Sequence, residues 1–189
     1  TGRYHFRNYK TATDGTVLYD TTLVRENADI NAVRAEAAVF GKLYKGSWKA
    51  QIYNYYSNRG LPGYVARNVY EHHQRQWDDN FFVQASYNQQ VLSFYQLMVK
   101  AKYAYDYTRY LNPDTVTRYI DNTYRQQETY VSVANAFTVF RWWKLGLSAD
   151  FQWNYLDSDV QGFVFPTRYT GYVSAVTDFN WNYVKLQAS

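Results

Sequence analysis

Cysteine is absent from all 189 residues, which excludes disulfides and thiolate metal sites. Proline occurs three times, at Pro62, Pro113 and Pro166, so most of the chain is free of the residue that cannot donate to a β-ladder. No run of 18 apolar residues exists, so no transmembrane helix can form, and the mean hydropathy is −0.58. A phosphate-binding glycine loop, a nucleophile elbow and a Cys/His/Asp constellation are all missing, and no catalytic chemistry is offered. A basic run is missing too. The 20 Lys and Arg against 16 Asp and Glu give a net charge of +4, but they are scattered and many alternate with apolar residues, so nucleic acid is not expected as a partner.

Aromatic rings are abundant: 22 Tyr, 11 Phe and 6 Trp make up 21% of the chain, more than a core of this size needs. Their placement is regular. From 95 to 107 every second residue reads Tyr95, Leu97, Val99, Ala101, Tyr103, Tyr105, Tyr107, while Gln96, Met98, Lys100, Lys102, Ala104 and Asp106 lie between. Trp143 and Trp153 bracket Leu145, Leu147, Ala149 and Phe151 in the same way, and Trp77 and Tyr87 bracket Phe81, Val83 and Ala85, with Asp79 at the rim. Ten residues at about 3.3 Å each, tilted by about 40–45°, rise roughly 24 Å, the height of the apolar band of a transmembrane β-barrel between its aromatic girdles.

About ten strands are expected. Seven are clear, at 31–44, 47–57, 79–89, 94–109, 124–139, 144–156 and 168–178, and three are less distinct, at 3–11, 16–25 and 181–189. Tight connections at Tyr44–Ser47, Asn88–Ser93, Phe140–Lys144 and Asp178–Trp181 alternate with long ones at 57–78, 110–123 and 157–168, and the three prolines fall in the long ones. Outer-membrane barrels have this asymmetry of short periplasmic turns and long external loops. On the seven clear strands the apolar face is read as carrying no charge except Asp79. A charge at mid-bilayer would cost about 2–4 kcal/mol, which gives that pattern a cause.

A soluble ligand-binding up-and-down barrel or sandwich would also alternate, with its oily face inward. Strands of 11–16 residues, rings at the stripe ends and small residues at the centres (Ala35, Ala37, Ala85, Ala101, Ala149) weigh against it. The chain begins at Thr1 without an initiator Met or leader and ends at Gln187–Ala188–Ser189 inside an expected strand, so residues 1–189 are expected to be a segment of a larger barrel.

Four blocks carry a family resemblance: Ser57 to Gly63 (Ser-Asn-Arg-Gly-Leu-Pro-Gly), Gln76 to Gln84, Asp106 to Tyr110, and Tyr124 to Glu128. Together they resemble the barrel of TonB-dependent outer-membrane receptors of the Bacteroidetes type, from about residue 30 onward. The resemblance implies an outer-membrane location and an all-β, antiparallel, 22-stranded transmembrane barrel around an N-terminal plug domain. It also implies import of a scarce large nutrient, cobalamin or a ferric siderophore, by coupling to TonB. Neither plug nor TonB box is found in this sequence. Cobalamin is favoured only by the loop resemblance. Outer-membrane lipid and lipopolysaccharide are implied surroundings, and a surface lipoprotein capping the loops is left open.

Within that frame the 57–78 stretch supplies candidate ligand contacts: Arg59, Tyr64, Arg67, Tyr70, His72, His73 and Arg75, a mixture of rings and cationic donors. A surface loop in contact with lipopolysaccharide would have the same composition, and Gly60, Pro62 and Gly63 read first as turn residues. No cofactor and no metal is expected. Adjacent histidines on an extended segment point to opposite sides, and the pairs Asp78–Asp79 and Asp157–Asp159 lack the loop of a calcium site. The enzymatic alternative is a complete ten-stranded surface protease in which His72 or His73 polarises a water with Asp157 or Asp159.

Overall fold

The computed structural model describes residues 5–63, 72–115, 118–182 and 184–188, and among them it is all-β. Ten strands occur: β1 (His5–Thr11), β2 (Val17–Val24), β3 (Ile30–Leu43), β4 (Gly46–Leu61), β5 (Gln74–Leu92), β6 (Tyr95–Asn112), β7 (Ile120–Phe140), β8 (Trp143–Ser158), β9 (Thr167–Trp181) and β10 (Val184–Ala188). β1 and β2 form a separate hairpin, tied by the Arg7–Asp20 pair at 2.6 Å. β3 to β10 form one antiparallel sheet in chain order, each strand bonded to its neighbours in sequence. β3 and β10 are its two edges.

Strand ends follow local chemistry. Pro62 and Pro113 directly follow β4 and β6, and Pro166 directly precedes β9, so none removes a ladder bond. The first short turn takes a positive φ at Lys45 (58°) and the last at Asn182 (51°), whereas those at 93–94 and 141–142 take none and have a register shift beside them. The last turn therefore lies at Asn182, later than the expected Asp178–Trp181. Residues 178–181 stay in register with β10.

The strands run further into the long connections than alternation suggests. The stretch at 57–78 narrows to a loop between Leu61 and Gln74, and 110–123 to one between Asn112 and Ile120. The reason is visible in the side chains: beyond the apolar band both faces are polar, so alternation fades while the ladder continues.

Register then decides which residues share a face. Val99 aligns with Tyr87, Trp48 and Gly41 on one side and with Val133, Ala149 and Val173 on the other. The rows of Ala101, Tyr103 and Tyr105 above, and of Leu97 and Tyr95 below, carry no charged residue on this face in any strand they cross. Charge begins one row higher, where Asp79, Arg125 and Asp157 align with Tyr107, followed by Arg109. This corrects the sequence reading, in which Asp79 stood alone: Arg109 and Arg125 lie on the same face, and both belong to the rim rows.

The opposite face is a polar web. Gln84 donates to Gln51 (3.0 Å), which donates to Glu36 (2.7 Å). Lys102 and Gln152 both donate to Glu128 (3.0 and 3.2 Å), and the Tyr130 hydroxyl to Asp150 (2.8 Å).

A single sheet has no interior. Among the described residues Ala104 is the only buried hydrophobic side chain, whereas Val173 is 86% exposed and Ile52 47%. The chain exposes 13808 Å², against the roughly 9,400 Å² that scaling gives for a compact protein of its mass.

The short turns are staggered. Leu43 and Gly46, flanking the first, share the row of Leu97, while Trp181, flanking the last, lies four residues below Thr177 in the row of Tyr95, hence six below the Leu97 row. Six residues across the six strands between those turns is about one per strand. At about 3.3 Å of rise against about 4.8 Å of spacing, this is a tilt of about 35°.

Close packing within the apolar face is testable at Gly41, where an added Cβ would stand 2.5 Å from Trp48 Nε1. Gly41→Val is expected to push the indole off the strand, giving a shift of Trp48 emission in a protein whose other tryptophans are replaced by Phe, with strand content unchanged by circular dichroism.

Candidate functional site

The ends of β4 to β8 opposite the short turns are joined by a set of ion pairs. Arg59 Nη2 meets Asp78 at 3.1 Å on the polar face, and Asp78 also accepts from Gln76 (2.8 Å) and Thr108 (3.0 Å). Ser57, beside it, is 1% exposed. On the other face Arg109 forms a two-pronged pair with Asp121 (2.8 and 2.7 Å) while its guanidinium lies 5.1 Å from the Trp77 ring centre. Arg125 meets Asp157 at 3.3 Å. Bidentate pairing and ring stacking both suit arginine's planar fork.

One segment crosses over these ends. Residues 25–29, between β2 and β3, lie against the tips of β4 and β5. Asn27, at φ 53°, donates to the carbonyls of Leu61 (3.2 Å) and Gln74 (2.6 Å), so one side chain ties both strands just before their loop. Arg25 donates to the Gly63 carbonyl. Arg75 bonds Asp29 (2.8 and 3.2 Å) and Asn58 (2.8 and 3.2 Å), and the Gly60 amide donates to the Asp29 carbonyl (2.9 Å).

Gly60 is thus a close-approach residue inside β4, where a Cβ would strike Asn27, and not a turn residue. Gly63 is the turn residue, at φ 60°, with the His72 ring 2.7 Å from where its Cβ would be. The Arg75 hydrogen bond holds the Asp29 carboxyl below the usual carboxylate range, and the Thr123 amide and hydroxyl do the same for Asp159.

The structure separates the residues expected to meet a ligand. Arg59 and Arg75 project from opposite faces and are already paired, although Arg59 Nε is buried without a hydrogen-bond partner. His72 and His73 line a cavity of about 560 Å³ with Gln74, Asn112, Pro113 and Asp114. Tyr64, Arg67 and Tyr70 lie outside the described residues. Neither Asp157 nor Asp159 lines the histidine cavity, and they bond Arg125 and Thr123 instead. Among the described residues no group of three His, Cys, Asp or Glu is placed to hold a metal.

Asn27 and Asp29 were invisible to sequence reasoning because they lie in a short link outside any strand, where no alternation marks them. The Asn at a tight link was the one available hint, since Asn tolerates positive φ. No protein-family model matches the chain, and no characterised protein matches it significantly.

The clasp should respond to acid. A carboxyl with a depressed folded pKa stabilises the fold above its unfolded value, about 3.9, and that contribution is lost as pH falls through the folded value. Hydrogen exchange at the Gly60 amide is therefore expected to accelerate, relative to its intrinsic rate, as pH drops below about 4. Asp29→Asn is expected to exchange faster already at pH 7 and to lose the acid step.

Proposed function

We propose that this chain is part of the wall of a transmembrane β-barrel in a bacterial outer membrane, with the apolar face toward lipid and the polar face toward the lumen. The observation that carries this reading is the charge-free band: six consecutive register rows, five crossing β3 to β9 and the sixth, that of Tyr95, crossing β5 to β9, with every charged residue on that side confined to the rim. Water would not enforce such an exclusion on an uncovered face, whereas hydrocarbon would, at about 2–4 kcal/mol per charge at its centre. The stagger of the turns supports the same reading, since strands of a closed barrel tilt by about 35–45°. A bilayer also requires the edges of β3 and β10 to be paired, which further strands of a larger barrel would do.

The transport role is a further step. We propose that the barrel imports a scarce large nutrient, cobalamin or a ferric chelate, as a TonB-dependent receptor and not as an enzyme. The support is the resemblance in the Ser57–Gly63, Gln76–Gln84, Asp106–Tyr110 and Tyr124–Glu128 blocks. These blocks fall largely at the outer strand ends, where a loop-borne site would be built. A binding titration of the full-length receptor with cobalamin and with ferric siderophores tests this. Binding of neither would sink the transport reading.

Val99→Arg places a charge at the band's centre and should impair barrel assembly by about 2–4 kcal/mol in a lipid-vesicle folding titration, while Lys100→Ala should leave it unchanged. In intact cells, a membrane-impermeant thiol reagent should label a cysteine at Asn112 and not one at Gly46. The reverse pattern would invert the topology.

A further inference from the structure

On the polar face three lysines surround a gap. Lys100 of β6 pairs with Ser86 of β5, which pairs with Lys49 of β4, and Lys102 stands one row higher, in line with Gln84 and Gln51. Ser86 is short, so the space between Lys49 and Lys100 stays open, and the concavity of about 370 Å³ is lined by these six residues together with Tyr130 and two alanines. Two strand spacings place the Cα atoms of Lys49 and Lys100 about 10 Å apart, and two residues place Lys102 about 7 Å from Lys100. Four-carbon stems let all three ammonium groups converge on one small anion.

The facing carboxylates are partly occupied. Glu128 accepts from Lys102 (3.0 Å) and Gln152, leaving the Lys102 ammonium two further donors. Asp150, two strands from Lys100 in the same row, accepts from Tyr130, and Glu36 accepts from Gln51 and Arg34. Neither Lys49 nor Lys100 makes a direct ion pair among the described residues, although Lys100 interacts electrostatically with Asp150. A volume of this order suits a small molecule, and the neutral donors of Gln84, Gln51 and Ser86 would complete its hydrogen bonding.

We propose that this cradle binds a small polyanion bearing at least two carboxylate or phosphate groups. Its role rests on the transport reading above, within which it favours an anionic cargo over an uncharged one.

The test uses the full-length receptor purified in detergent, titrated calorimetrically with citrate, pyrophosphate and, as a monovalent control, acetate. Citrate, pyrophosphate or both should bind saturably and more tightly than acetate, the preference between the two distinguishing carboxylate from phosphate. The combined Lys49→Gln and Lys100→Gln variant should weaken that binding about tenfold or more, while Lys185→Gln should not. Should the double variant lose strand signal, Ser86→Glu, which places a carboxylate in the cradle, decides the same question by abolishing binding. Binding of neither polyanion, or equal binding by wild type and these variants, overturns the proposal. Vesicle flotation of the same samples is read separately: flotation without anion binding removes the cradle alone, and anion binding without flotation removes the wall reading.

Discussion

The register of backbone hydrogen bonds between neighbouring strands fixes which side chains share a face, and every other property of this molecule depends on it. A slip of one residue in any strand would carry its lysines and glutamates onto the apolar side. The register is set at the short turns, two of which take positive φ at Lys45 and Asn182, and is held along the polar face by bonds that cross strands, such as Gln84 to Gln51 to Glu36 and Lys102 to Glu128. Those pairs contribute modestly one at a time. Their role is to penalise slippage.

With register fixed, the sheet has one apolar and one polar face and, among the described residues, no core. Its apolar side offers Val83, Val131, Leu147, Phe151 and Val173 to whatever covers it, and among the described residues nothing does. At the outer end both faces turn polar, and stability passes from apolar contact to ion pairs and the crossing segment at 25–29. Arg75 belongs to that clasp, so its guanidinium positions the base of the loop and is not left free for a ligand.

The strand pattern was legible in the sequence because alternation is strict where one side must exclude charge: all ten strands occur close to their expected positions, and all three prolines lie just outside strands. Legibility ended where that constraint ended. Beyond Tyr105 both faces are polar, so the continuations of β4, β5 and β6 read as loop, and Arg109 and Arg125 were not recognised as sharing the face of Asp79. The clasp was hidden for a different reason: the contacts of segment 25–29 join residues 31 to 48 positions apart, and no local pattern encodes them. Of the candidate loop residues, Arg59 and Arg75 looked like ligand donors because a sequence does not show their acidic partners, Asp78 and Asp29.

One face of the sheet is proposed to meet hydrocarbon and the other water. Single spin labels placed in turn at residues 97 to 105 of β6, in the protein reconstituted into vesicles, test it through collision with oxygen and with a water-soluble nickel complex. At 97, 99, 101, 103 and 105 the account requires high oxygen and low nickel accessibility, greatest for oxygen near 99 to 101, with nickel accessibility rising at 98, 100, 102 and 104. Equal nickel accessibility at both sets of positions, or odd positions shielded from both reagents as in a protein core, would contradict it.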